Sequence, residues 1–238
     1  MNLILEHSNG AQINTLSKME MIERAVIVTG ATENHGQHLP YGSDTITPWA
    51  IATSLMEFMD GLVLLPPVAY GMSSAHTGFP LTISIRPSVL AEFYFDIFDN
   101  ISNSGISSIL VINGHDGNVI SLRQAGIRLK NVHPQTNLDI FEIWGINLDK
   151  IFGPDLGAGH AGETETSVLL YLRPDLVNMK DAKGSPLRND NYIWTNKLIN
   201  ESTTSGATGH PSKANSENGE QAIKNAVEYL VNYFQKGI

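Results

Sequence analysis

Runs of β-branched and aliphatic residues recur along the chain and predict the strands of a sheet. The first run, AVIVTG, covers residues 25–30 and is typical of a buried strand. Further runs follow as LVLLPPVAYG at 62–71, SSILVIN at 107–113 and LDIFEIW at 138–144. The pattern therefore predicts four strands.

Between these runs, apolar residues recur at helical spacing. One helix is predicted near residues 48–59, with Pro48 in its first turn, where a missing N–H costs nothing. Another helix is predicted to begin at Pro87 and to end at the segment SNSG. After the third strand, Asn118 is expected to cap the helix VISLRQAGIRLKN.

The last third of the chain carries two more helical patterns with a polar stretch between them. One helix is expected to start near Glu163 and to run to Arg173. Residues 175–213 are rich in Asn, Gly, Ser and Thr, and they predict an extended surface excursion. The final helix is the most regular, because its apolar residues from 222 to 234 share one face.

Alternating strands and helices predict one α/β domain over residues 1–238. The length suffices for a substantial core, and the alternation favours a mainly parallel sheet with helices on both faces. Ligands of such folds bind beyond the carboxyl ends of the strands. The loops that follow the predicted strands are therefore the first place to look for a site.

Composition narrows the function and the location. The formal net charge is -9 with only 15 Lys and Arg and no basic run, which argues against nucleic acids and anionic membranes as partners. No basic leader opens the chain, and no apolar run approaches the roughly 20 residues of a membrane span, so a cytoplasmic protein is expected. Charged residues make up 16% of the chain, below the roughly 25% of typical proteins. A surface with few charges is expected to be partly covered by other subunits, which favours a homo-oligomer.

Four segments dense in histidine and carboxylate follow the predicted strands. The chain has no cysteine, so any metal must be held by nitrogen and oxygen ligands. Because these loops would meet at one edge of one sheet, we expect their side chains to form a single site. The segments are ATENHGQHLPYGSD, GMSSAHTGFP, NGHDGN and GAGHAGETETS.

Four of these residues have the chemistry of metal ligands. Glu33 and His35 are two apart, so in an extended segment their side chains point the same way. Asp44 follows in the same loop and could bridge two cations, and His115 would add a nitrogen from the neighbouring loop. Any one of them could be a helix cap or a solvated side chain. Together they predict a site for Zn, Mn or Fe.

Three segments resemble the creatininase family of metal-dependent amidohydrolases. TENHGQHLPYGSD is similar to the family's E-x-H-G-x-H-L-P segment with its following aspartate, NGHDGN to its N-G-H-x-G-N loop, and HAGETETS to its H-x-G-x-x-E-T-S segment. Weaker similarity extends to SAHTGFPLTIS and GHPSKANSENG, so the resemblance spans about residues 25–220. It implies a three-layer α/β/α fold, two divalent metal ions per chain and commonly a hexamer.

The resemblance also implies a role for each residue. Glu33, His35, Asp44 and His115 match the family's metal ligands, with Asp44 as the bridge between the ions. His160 matches the catalytic general acid or base, a role that suits an unperturbed pKa near 6.5.

The chain departs from creatininase proper at three positions. Gly117 stands where that enzyme has a glutamate ligand; Glu165 is the expected replacement, and Glu163 is the alternative. Leu156 and Asp116 stand where that enzyme uses a tryptophan and another aromatic residue to enclose its small substrate. Creatinine itself is therefore not the expected substrate.

Two further histidines lie near the predicted site. His38 is expected to support a ligand from behind, as hydrogen-bonded neighbours of metal ligands commonly do. His76 could face the substrate or make ordinary loop hydrogen bonds. The remaining histidines are expected to be structural or exposed, and they are His7, His133 and His210.

The predicted function is hydrolysis of a C–N bond in a small amide, lactam or formamide by a metal-activated hydroxide. His160 would hand a proton to the departing nitrogen, because an amide anion is too basic to leave unprotonated. The alternative is a non-catalytic oligomeric scaffold with a structural metal. The glycine at 117 favours that alternative, and the histidine at 160 argues against it.

Overall fold

A parallel sheet forms the centre of the protein. The computed structural model describes residues 1–146, 148–153, 159–186 and 196–236. Within these residues the sheet has five strands in the order β1-β3-β2-β4-β5, and every neighbouring pair is parallel. The strands are β1 Leu3–Ile4, β2 Arg24–Thr29, β3 Leu62–Leu64, β4 Ser108–Asn113 and β5 Asn137–Glu142.

Helices connect the strands and follow the last of them. The described helices are α1 Gly10–Lys18, α2 Ser43–Leu55, α3 Pro87–Asn103, α4 Val119–Val132, α5 Asp149–Phe152, α6 Glu163–Leu172 and α7 Ser216–Lys236. No helix among the described residues has the length and apolar character needed to cross a membrane.

The two faces of the sheet carry separate hydrophobic layers. Side chains alternate along β2, so Val26 and Val28 pack with α2, α6 and α7, whereas Ala25 and Ile27 pack with α3 and α4. Burial of apolar side chains on both faces is what a parallel sheet requires. The predicted α/β fold with helices on both faces is confirmed.

Helix α2 begins earlier than the sequence pattern predicts. It starts at Ser43, which leaves Pro48 inside the helix rather than in its first turn. Pro48 has no N–H to bond the Asp44 carbonyl, and Gly114 passes so close to that carbonyl that a Cβ at 114 would collide with it. Asp44 therefore lies in the first turn of a helix and not in a loop.

Asn118 directly precedes α4, but its side chain does not cap the helix. Its side-chain nitrogen Nδ2 donates to the Gly30 carbonyl over 3.0 Å, and its side-chain oxygen Oδ1 accepts from the Met72 N–H over 3.1 Å. The predicted cap was wrong, because Asn118 instead ties together the loops that follow β2 and β3.

The segment predicted as a surface excursion is partly buried. Residues 187–195 lie outside the described part of the chain. In the part that follows, Thr203 and Ala207 are buried, and the Thr208 N–H donates to the His160 carbonyl over 2.9 Å. This stretch supports the site from outside, so the prediction was wrong for residues 203–208.

Candidate metal centre

Predicted site residues from four segments meet at the carboxyl ends of β2 and β4. The residues Glu33 and His35 come from the loop after β2, and Asp44 comes from the first turn of α2. His115 follows β4, and Glu165 lies in the first turn of α6. All five are buried.

Asp44 lies between two histidine rings. Its Oδ1 is 3.0 Å from His35 Nε2, and its Oδ2 is 3.1 Å from His115 Nδ1. A carboxylate with each oxygen against a different imidazole has the geometry to bridge two cations.

The other nitrogen of each ring is held by a backbone carbonyl. His35 Nδ1 lies 3.2 Å from the Glu33 carbonyl, and His115 Nε2 lies 3.0 Å from the Met72 carbonyl. A carbonyl only accepts, so these nitrogens carry the protons. The nitrogens facing Asp44 keep their lone pairs when the rings are neutral, which is the usual arrangement of a metal-binding histidine.

Glu33 is fully buried without hydrogen bonds to its carboxylate among the described residues. The nearest ring nitrogens to its oxygens are His76 Nε2 and His115 Nε2 at 3.5 Å, and His160 Nδ1 at 3.7 Å. Burying an ionised carboxylate without hydrogen bonds is costly. Glu33 therefore fits a position that a cation neutralises.

Of the two glutamates in α6, Glu165 is the one that faces the cluster. Its Oε2 lies 3.9 Å from His35 Nε2 and accepts the Ala161 N–H over 2.5 Å. Glu163 belongs to none of the described groups whose potential ligand atoms lie within 4.8 Å of one another. The electrostatic neighbours of Glu163 are instead Lys213 and His210.

Gly117 cannot be replaced by the glutamate of creatininase proper without movement of the backbone. A Cβ at 117 would collide with the Met72 carbonyl and would reach 2.5 Å from His115 Nε2. The carbonyl that orients His115 thus occupies the space of the missing ligand.

The charges in the cluster favour a cation. Burial lowers the pKa of His35, but Asp44 outweighs it and raises that pKa to about 10. Burial also lowers the pKa of His115, and Asp44 and Glu33 raise it to about 9. Burial raises the pKa of Glu165 to about 7. The carboxylates therefore hold positive charge on buried imidazoles that would otherwise be neutral.

His160 is oriented by the backbone. Its Nε2 donates to the Asn34 carbonyl over 2.6 Å, which leaves Nδ1 to face Glu33. Burial lowers the pKa of His160 well below 6.5, so the ring is neutral. Its ring packs on His35 at 4.4 Å and on His76 at 4.1 Å between centroids. A neutral ring with a free Nδ1 can accept and return a proton.

His38 and His76 have different surroundings. His38 Nε2 is 2.9 Å from Thr166 Oγ1, behind the ligand loop, as expected of a supporting residue. His76 faces the cluster, and burial lowers its pKa to about 3. The sequence left the role of His76 open, and it did not predict the roles of the Asn34 and Met72 carbonyls. No sequence signal marks a backbone carbonyl, since every residue has one.

The remaining histidines lie away from this cluster. His133 Nε2 pairs with Asp99 Oδ1 over 2.7 Å, His7 is exposed and lies 3.5 Å from Glu6 Oε1, and His210 is exposed. Leu156, predicted to replace an aromatic residue, lies outside the described residues.

Comparison with known proteins decides the family. The model of the creatininase family, described as creatinine amidohydrolase, matches residues 7–234. The chain belongs to the creatininase family. The resemblance inferred from the three sequence segments is thereby confirmed.

Members of the creatininase family with different names are similar in sequence to this chain. The mycofactocin precursor peptide peptidase of Mycolicibacterium smegmatis is 36% identical over 162 residues, covering 66% of this chain and 61% of that protein. The creatinine amidohydrolase of Pseudomonas putida is 28% identical over 174 residues, covering 65% and 66%. The chain thus spans about 61% of the length of the mycobacterial relative.

Solved structures of the creatininase family share the fold. A structure described as "Creatininase Mn" covers 100% of this chain and 99% of its own, with a TM-score of 0.87 and 19% identity. A creatininase variant of Zn-Zn type covers 100% and 98%, with a TM-score of 0.88 and 19% identity. The putative creatinine amidohydrolase of Bacteroides fragilis covers 98% and 95%, with a TM-score of 0.80 and 27% identity. The predicted creatininase-like fold is confirmed.

Proposed function

We propose that this protein is a metal-dependent amidohydrolase that cleaves a C–N bond. The observation that carries the proposal is the Asp44 carboxylate, which sits between the free ring nitrogens of His35 and His115 at 3.0 and 3.1 Å. Membership of the creatininase family supports the same reaction class.

The ligands would divide into two sets that share Asp44. Glu33 and His115, through its Nδ1, would complete one set, and His35 and Glu165 would complete the other. Carboxylate and imidazole ligands suit Zn, Mn or Fe, and Zn and Mn are named for two family structures. The buried, unbonded oxygens of Glu33 support this fit.

Two bound cations would supply an activated water and would polarise the carbonyl of the substrate. The chain itself would supply proton transfer. Because His160 Nε2 donates its proton to the Asn34 carbonyl, Nδ1 is the atom that would accept a proton from the attacking water and pass it to the leaving nitrogen. Burial keeps the ring neutral, which leaves Nδ1 able to accept.

The substrate is expected to be larger than creatinine. The cavity over the cluster has a volume of about 1070 Å³, and clefts of roughly 300–1,000 Å³ hold drug-sized ligands. The mycobacterial relative is named as a peptidase of a precursor peptide. Amides, lactams, formamides and short peptides are therefore the classes to test.

The assignment of Glu165 gives a prediction with a built-in control. Glu165→Gln removes the charge at constant size, so it should lower the occupancy of one of two metals while the other is kept. Glu163→Gln makes the same chemical change on the same helix turn and should leave both occupancies unchanged. Elemental analysis of the purified variants is the measurement. The reverse pattern would assign the ligand to Glu163, and equal occupancy in both variants would exclude either glutamate.

A substrate panel tests the function itself. Amides, lactams, formamides and short peptides are incubated with Zn-, Mn- and Fe-loaded protein, with metal-stripped protein as the control. Release of an amine or of ammonia should require metal. Full metal loading without turnover of any class would instead favour a scaffold with a structural metal.

Assembly as a homo-oligomer stays a proposal. Ile120 and Ile127 are exposed by 67% and 69% on α4, seven residues apart and thus on the same side of the helix. A second copy of the chain would cover such side chains. A mass of one chain in light scattering would contradict this.

A further inference from the structure

The cavity above the cluster extends beyond the space that a reacting amide needs. Among its described lining residues are Asp116, Trp144 and Asp149, in addition to the proposed ligands. These three side chains are candidates for binding the part of a substrate that does not react.

Asp116 is exposed in this cavity and has no hydrogen bond or ion pair with any described residue. It directly follows His115, so its position relative to the cluster is set by the same loop. The neighbouring acid Glu142 is different, because its Oε1 pairs with Arg123 Nη2 over 2.7 Å. The nearby arginine is thus already engaged. Lys197 also lines the cavity, but it has an interaction partner too. His115 attracts the Asp116 carboxylate electrostatically, but among the described residues no side chain forms an ion pair with it.

Trp144 stands in the same cavity as this carboxylate. Its Nε1 donates to the Gly114 carbonyl over 3.0 Å, which ties the indole to the loop that carries His115 and Asp116. A carboxylate in a cavity that also holds an aromatic ring suits a cationic group, because the ring face also attracts positive charge.

We propose that Asp116, with the indole of Trp144, binds a cationic group of the substrate, such as a primary ammonium. The substrate would then be an amide that carries a positive charge away from its scissile bond. This inference rests on the proposed function, because the cluster would hold the reacting end of the same molecule.

Hydroxamic acids test this without knowledge of the substrate, since a hydroxamate chelates divalent metals. The probes are 6-aminohexanohydroxamic acid, neutral hexanohydroxamic acid and the monohydroxamic acid of adipic acid, each titrated calorimetrically into Zn-loaded protein at pH 7. The amine is protonated there, because its pKa is near 10. The amino compound should bind about fivefold more tightly than the neutral one, and the acid more weakly.

Two variants give the control. Asp116→Asn should abolish the preference for the amino compound while the neutral one binds as before. Asp149→Asn removes a charge from the same cavity, but Asp149 already has an interaction partner, so the preference should persist. Equal loss in both variants, or no preference in the unaltered protein, would overturn the subsite while the metal centre stands. If no hydroxamate binds to metal-loaded protein, the proposed function fails, and this inference fails with it.

Discussion

Asp44→Ala protein is expected to bind neither of the two proposed metal ions stoichiometrically. Each oxygen of Asp44 faces a different histidine, so one substitution removes a ligand from both sets. The effect should exceed that of any single change at His35, His115 or Glu165, each of which belongs to one set. Elemental analysis after dialysis measures it.

Asp44→Ala should also destabilise the metal-free protein, because the partner of two buried histidines is lost. Breaking a buried ion pair by removing one partner typically costs about 3–5 kcal/mol. The pKa shifts define the pH range of this effect. The pKa of His35 is raised to about 10 and that of His115 to about 9, so their contribution is complete below pH 6.5 and is lost as pH rises through 9 to 10. Chemical unfolding of both proteins at pH 6.5 and pH 10 would measure the difference.

Two variants keep this prediction testable. Asp44→Asn preserves the size and one acceptor oxygen, so it should fold even if Asp44→Ala does not, and it should still lose metal. Asp116→Ala removes a carboxylate from the same cavity and should keep both ions. Unchanged metal content in a folded Asp44 variant would show that Asp44 is not the bridge.

His160→Ala is expected to lower kcat by roughly 10² to 10⁴ on any substrate found in the panel, the usual contribution of a general acid or base. The reason is positional: Nε2 is held by the Asn34 carbonyl, and Nδ1 faces the cluster. Metal content should stay the same, and KM should change less than kcat. Steady-state kinetics and elemental analysis on one preparation give all of these values.

The control for this substitution is His133→Ala. His133 pairs with Asp99 and belongs to none of the described groups of potential metal ligands, so its removal should not change kcat. Because His160 also has one nitrogen on a carbonyl and the other near Glu33, it has the geometry of a ligand as well. Metal loss in His160→Ala would make it a ligand. Full activity would leave the proposed reaction without its proton donor.

Much of the architecture was predictable from local patterns. The runs at 25–30 and 107–113 became β2 and β4, and Pro87 began α3 as predicted. Because parallel strands end at one edge, the loops after them had to meet, which brought Glu33 and His115 together. These predictions succeeded because the signal lies in residues adjacent along the chain.

The N-terminal elements were missed although one local signal existed. Asn9 and Gln12 form a capping box at the start of α1, with the Asn9 side chain accepting from the Gln12 N–H. Strand β1 has only two residues, and it forms by pairing with β3. So short a run has no periodicity to detect.

Tertiary contacts decided the features that make the candidate site specific. Asp44 sits in a helix that tolerates Pro48 because only one hydrogen bond near its start is lost. Gly117 excludes a glutamate because the Met72 carbonyl, 45 positions earlier in the chain, fills the space. Likewise, Asn34 and Thr208 orient His160 from distant segments. Composition and periodicity depend only on residues that lie close together in the chain. For His115 and His160, a hydrogen bond to the backbone carbonyl of a distant segment decides which ring nitrogen carries the proton. Every residue has such a carbonyl, so residue type does not mark these partners.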